Sequence, residues 1–166
     1  KALIDFAKTV LEDTLRLIFY DVTTLYFESQ LKTDLKDFGF SKEHRNTDTQ
    51  VVIGLVVGKS GFPLYFDVFS GKTFEGHTFI PVIKNIQQLL GSKELVVIAD
   101  AAMISRDNIE KLTEEKIGFV VGARVANLSP GLIDSISEEL NKQDNKIVTA
   151  TYQNQRLICQ YLSKRA

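Results

Sequence analysis

The chain has 166 residues, 44 % of them hydrophobic and 25 % charged, with a net charge of −1 at neutral pH. That length and balance describe one globular domain with its own core and exclude disordered, fibrous and disulfide-stapled classes. No apolar run reaches about eighteen residues, which argues against a membrane span, and the near-neutral charge argues against a surface that grips nucleic acid unaided.

The lone cysteine, Cys159, fits a reducing, cytoplasmic setting, and no secretory leader is visible. The chain begins at Lys1 and its only methionine is Met103, which reads as a piece of a longer protein.

In chain order, residues 1–15 place Leu3, Phe6, Val10 and Thr14 on one helical face. A strand follows at about 17–27, and then a polar loop over 28–50 that carries Lys32, Lys36, Lys42, His44 and Arg45. Val51–Val57 and Phe62–Phe69 flank Gly58-Lys59-Ser60-Gly61 and read as a β-hairpin. A helix is expected over 78–90, with Pro81 in its first turn and Gly91 ending it. Strand 95–100 leads into a helix capped by Ser105, with Ile109, Leu112 and Lys116 in line and Gly118 at its end. Residues 119–122 form a short strand, and Ser129 opens another helix with Leu132, Ile133, Ile136 and Leu140 inward. Segments 146–152 and 156–162 close the chain as a second hairpin across Gln153-Asn154-Gln155. The order is that of an α/β fold with a mixed sheet: an antiparallel three-strand meander, then parallel strands joined by helices.

Two aspartates stand out. Asp21 interrupts the apolar run Leu17–Phe27, and Asp100 ends Leu95-Val96-Val97-Ile98-Ala99. If both runs are buried strands, an ionised carboxylate there needs a partner, and a divalent cation is a common one. Asp21 shares a strand face with Phe19, Thr23 and Leu25, while Asp100 stands at a carboxyl strand end, where open α/β sheets place ligands. If the strands are neighbours, the acids lie close together, and all-oxygen donors of this kind suit Mg²⁺ or Mn²⁺. Against this, Asp100 could simply cap a turn and Asp21 could be hydrogen-bonded in the core.

Other motifs fall away. Gly54 to Ser60 resembles a phosphate-binding loop but has the wrong glycine spacing and leads into a hairpin. His44 and His77 lie in loops without companion ligands, and Ser60 and Ser105 have no local base. Lys42, His44 and Arg45 could meet phosphates, although a charge-rich loop is also an ordinary wet surface.

Five blocks in register carry a family resemblance. Tyr20-Asp21-Val22-Thr23-Thr24-Leu25-Tyr26-Phe27-Glu28 resembles the first catalytic motif of bacterial DDE transposases of the insertion-sequence-four group. Gly39 to Arg45 followed by Gln50 to Leu55 is similar to their loop and second strand, and Phe69 to Thr78 to the linker before their first central helix. Val97-Ile98-Ala99-Asp100-Ala101-Ala102-Met103-Ile104-Ser105 resembles the second catalytic motif, and Gly118 to Arg124 the strand after it. Ala101-Ala102 departs from the Arg-Gly or Ala-Gly that relatives often carry there. The likeness spans about 17–124.

The resemblance implies a ribonuclease-H-like domain in which Asp21 and Asp100 lie side by side as catalytic and metal-holding acids. It implies a single catalytic domain over 1–166, with 1–140 as core and 141–166 as the start of a β-rich insertion. It implies a third acid, a glutamate on a helix after that insertion and beyond Ala166, so that this piece is incomplete. The implied chemistry is metal-dependent cleavage of DNA and strand transfer to a 3′-hydroxyl, with two Mg²⁺ or Mn²⁺ ions about 3.5–4 Å apart. Asp21 would bridge both ions and Asp100 would hold one. Lys42, Arg45 and His77 are expected on the DNA backbone, and the parent protein is expected to act on element ends and target DNA, as a homodimer. Two other readings stay open: a ribonuclease-H-like nuclease using Glu138 or Asp134 as third acid, and a catalytically dead remnant that only binds.

Overall fold

The structure is a computed structural model and describes residues 1–11, 15–41, 45, 47–91, 94–103 and 105–165. The chain forms two compact units, Lys1–Gly122 and Ala123–Ala166.

The first unit is a five-stranded sheet with helices. Its strands are β1 (Leu17–Phe27), β2 (Thr49–Gly58), β3 (Pro63–Ser70), β4 (Val96–Ala99) and β5 (Gly118–Val121), in the spatial order β3-β2-β1-β4-β5. The first three form an antiparallel meander, and β4 and β5 add in parallel to β1. This is the expected mixed sheet in the ribonuclease-H-like order. Sequence-adjacent strands pair through the Gly58–Gly61 turn, where Gly58 donates to the Phe62 carbonyl and no helix follows, so a phosphate-binding loop is excluded.

Among the described residues, three α-helices belong to this unit: α1 (Ala2–Thr9), α2 (Glu75–Leu90) and α3 (Arg106–Glu114). Phe79, Val82, Ile83 and Ile86 of α2 are fully buried and join Ile18 and Tyr20 of β1, Val56 of β2 and Val97 of β4 in one core. Each such side chain contributes about 1.5–3 kcal/mol through its burial. Gly54 of β2 meets this core closely: a Cβ there would stand 2.6 Å from the Tyr20 hydroxyl.

Three expectations are corrected. The first helix is shorter than 1–15, and it turns Ile4 and Ala7 inward, while Leu3, Phe6 and Val10 are exposed and Thr14 lies outside the described residues. The apolar positions suited either face, and contact with the sheet chose Ile4 and the small Ala7. Helix α2 begins at Glu75, three residues early, so Pro81 lies inside it and not in its first turn. Helix α3 ends before Gly118, because Lys116 takes the left-handed conformation (φ 55°) and releases Gly118 into β5. Lys116 is accordingly exposed rather than in line with Leu112.

The 28–48 loop is tied to the end of the sheet. Asp37 and Gln50 exchange backbone hydrogen bonds, and the Gln50 amide donates to the Gly71 and Phe40 carbonyls at 2.8 and 3.2 Å. At Gly71, the carbonyls of Gln50 and Asp37 occupy the space that a side chain would need.

The second unit holds α4 (Pro130–Leu140) and the antiparallel pair β6 (Ile147–Tyr152) and β7 (Gln155–Gln160). Ser129 stands at the helix N-cap position as expected, without a side-chain cap bond. Gln153 and Asn154 both have positive φ (48° and 61°), the backbone of a two-residue hairpin turn. Ile136, Leu140 and Val148 form a small core, with Cys159 packed on its edge.

Candidate functional site

The site begins with a strand register. Tyr20 of β1 pairs with Ala99 of β4, which are parallel neighbours. Asp21 follows Tyr20 on β1, and Asp100 follows Ala99 just past the end of β4. Neighbouring strands run about 4.8 Å apart, so the register brings the backbones of the two acids to neighbouring positions. On its other side Asp21 pairs with Leu55 of β2, which pairs in turn with Phe66 of β3.

Each carboxylate is steadied by the amide that follows it. Val22 N–H donates to Asp21 Oδ1 at 2.8 Å, and Ala101 N–H to Asp100 Oδ1 at 2.6 Å. A carboxylate has about four acceptor positions, so these bonds leave capacity for a ligand.

The expectation that the acids are buried is corrected. Both are exposed, as are Phe19 and Leu25 on the same face. Among the described residues the helices of this unit contribute their buried side chains to the opposite face, where Ile18 and Tyr20 point. The cost of burying charge therefore supplies no reason for a cation here. What the register supplies is two acids that follow paired residues of neighbouring strands.

The opposite face carries a polar connection that the apolar pattern concealed. Tyr20 Oη lies 2.6 Å from Thr78 Oγ1, which donates its single proton to the Glu75 carbonyl at 2.6 Å. Tyr20 is therefore the donor to Thr78, and burial pushes its hydroxyl up to about 12, so it stays protonated. Asn108, also buried, donates to the carbonyls of Gly76 and Met103 at 2.9 and 2.8 Å. An asparagine three residues after the Ser105 cap was the available signal, but the helical stripe of Ile109 and Leu112 drew the reading past it.

Lys42 and His44 lie outside the described residues. Arg45 places its guanidinium over the Tyr26 ring, 5.1 Å from the centroid, with Nε 3.0 Å from Asp48. Tyr26 is five residues from Asp21 on β1, roughly 17 Å along an extended strand. His77 is exposed in the first turn of α2, its ring edge-on to Phe74 at 5.5 Å. Lys32 pairs with Asp37 at 2.7 Å and holds that carboxyl below its ordinary value. Asp134 and Glu138 are exposed on α4 of the second unit. Among the described residues no three or more His, Cys, Asp or Glu side chains converge on one point. No helix among them is long and apolar enough to cross a membrane.

The family described as "Transposase DDE domain" matches residues 12–165. Among solved structures, the chain is similar to a Mos1 transposase paired-end complex with left transposon end, at 14 % identity and a TM-score of 0.45, covering 84 % of this chain and 45 % of that one. It is also similar to a Drosophila P element transposase strand transfer complex, at 14 % identity and a TM-score of 0.35, covering 95 % of this chain and 36 % of that one. The chain thus spans less than half the length of either. No curated protein matches.

Proposed function

The chain belongs to the transposase DDE domain family, and from that premise we propose that Asp21 and Asp100 are two carboxylates of a divalent-metal site acting on DNA phosphodiesters. The observation that supports the reading is the Tyr20–Ala99 register, since Asp21 and Asp100 each directly follow one member of that pair. The donor set fits Mg²⁺ or Mn²⁺: hard carboxylate oxygens, each held in orientation by a backbone amide. When bound, such ions activate an attacking oxygen and steady a leaving one.

The residues of the chain divide the remaining work. Asp21 stands mid-strand, anchored by the pairing of β1 with β2, while Asp100 stands one residue past its ladder and depends on the turn that follows. A third carboxylate completes the set in the parent protein, on a helix that the resemblance places after the hairpin unit. The quoted motifs support placement in the insertion-sequence-four group.

The proposed partner is DNA, at element ends and target. With a net charge of −1, this domain contributes little non-specific attraction, and other parts of the parent do most of the holding. Arg45 and His77 are proposed as backbone-phosphate contacts; the surface pair of Arg45 with Asp48 is weak enough to be exchanged for a phosphate. The proposed setting is the cytoplasm, with the parent working as a dimer on paired ends.

Manganese titration followed by electron paramagnetic resonance tests this reading. Wild-type chain is expected to bind Mn²⁺, and both Asp21→Asn and Asp100→Asn to lose that binding while remaining folded. Equal binding by all three proteins would remove the site.

A further inference from the structure

We infer that Asn108 is a positioning residue for this acid pair, acting through the first turn of α2; the inference rests on the metal reading above. The need for such a residue follows from where the sheet stops. Ala99 is the last residue of β4 and the last to pair with both β1 and β5, so Asp100 lies just past the ladder. From there the chain leaves the sheet in a single turn, Ala101–Met103, closed by Met103 N–H donating to the Asp100 carbonyl at 3.1 Å. A turn with one such bond is a soft support for a metal ligand.

Asn108 stiffens it. Its side-chain amide has two N–H donors, and they go to two carbonyls on different elements: Met103 at the far end of that turn and Gly76 in the first turn of α2. Its own backbone N–H donates to Ser105 Oγ at 3.2 Å, which fixes the start of α3. The same turn of α2 is held from the other side, because Tyr20, the residue before Asp21, donates to Thr78. Four hydrogen bonds therefore run from Asp100 through Met103, Asn108 and Gly76 to Thr78 and Tyr20, and so to Asp21. The path crosses behind the sheet and sets the level of one acid against the other.

This matters for a small, rigidly coordinated ion such as Mg²⁺, which tolerates little displacement of its ligands. Supporting groups behind a metal site commonly shift affinity by about 10–100-fold when removed. A merely structural asparagine would lower stability without selectively touching the acids.

The test uses the 1–166 chain with Asn108→Leu, which removes both donors while keeping the branched, four-heavy-atom shape, and Leu112→Ala, a core cavity on the same helix, as control. Mn²⁺ affinity is measured by paramagnetic resonance, and the Ala101 amide, which donates to Asp100, is followed in metal-free nitrogen–proton spectra. Asn108→Leu is expected to weaken Mn²⁺ binding by about tenfold or more and to move the Ala101 resonance. Leu112→Ala is expected to stay within about twofold and to leave that resonance in place. Wild-type affinity in Asn108→Leu, or an equal loss in Leu112→Ala, overturns the inference. Failure of the metal reading shows separately, as unchanged Mn²⁺ affinity in Asp21→Asn; the Ala101 resonance then decides alone, and its failure to move overturns the positioning role. Should Asn108→Leu not fold, Asn108→Ser, which keeps one donor, carries the same comparison.

Discussion

The two faces of β1 are both apolar and do different work. Ile18 and Tyr20 are 0 % and 2 % exposed, packed among α2 and the neighbouring strands, whereas Phe19 and Leu25 are 37 % and 48 % exposed beside Asp21. The covered face holds the unit together; the open face presents Asp21. Hydrophobicity alone does not mark which is which, since a buried strand and a strand with one open apolar face read alike. The pairing of an exposed acid with a rigid, covered reverse side gives the carboxylate a fixed position without the cost of burying its charge.

The largest test of that contrast is truncation on each side. Phe79→Ala removes a fully buried ring that meets Tyr20 edge-on at 5.3 Å, and a loss of about 3–5 kcal/mol is expected in chemical denaturation. Phe19→Ala on the open face is expected to cost about 1 kcal/mol or less. Equal costs would mean that the open face is packed in solution. A finer probe is Gly54→Ala, whose Cβ would press on the Tyr20 hydroxyl, with about 1–3 kcal/mol of destabilisation expected. Combining it with Tyr20→Phe should recover part of that loss, and strict additivity would break the claim that the hydroxyl is the obstacle. The smallest effect belongs to the acids. Without divalent ions, Asp21→Asn should raise the melting temperature slightly by easing repulsion from Asp100. A clear fall would show that the Asp21 carboxylate is needed for stability.

Much of the fold was legible. β1 was read at its full extent, and the Gly58–Gly61 hairpin, the α2 stripe from Phe79 to Leu90 and the closing hairpin each carry a local signal in turn residues or period. The failures were also local in kind. The 1–15 region had apolar residues on more than one helical face, and Lys116 took a left-handed conformation that glycine would ordinarily signal. At the site, Asp21 and Asp100 were legible as oddities within apolar runs, but their exposure was not, because no strand announces which of its faces a helix will cover. Asn108 was missed because its importance lies in two carbonyls, Gly76 and Met103, supplied by other elements.

From its residues alone this chain determined the order of its strands, turns and helices, and that two acids interrupt or end apolar runs. Alternation and helical period are written within a few neighbouring positions, so they need no partner to be read. Only the tertiary structure decided that β4 docks beside β1 in the Tyr20–Ala99 register, which face stays open, and what braces the turn after Asp100. Those outcomes depend on pairing between segments some eighty residues apart in sequence, and hydrogen-bond register across such a distance is set by the packing of the whole unit.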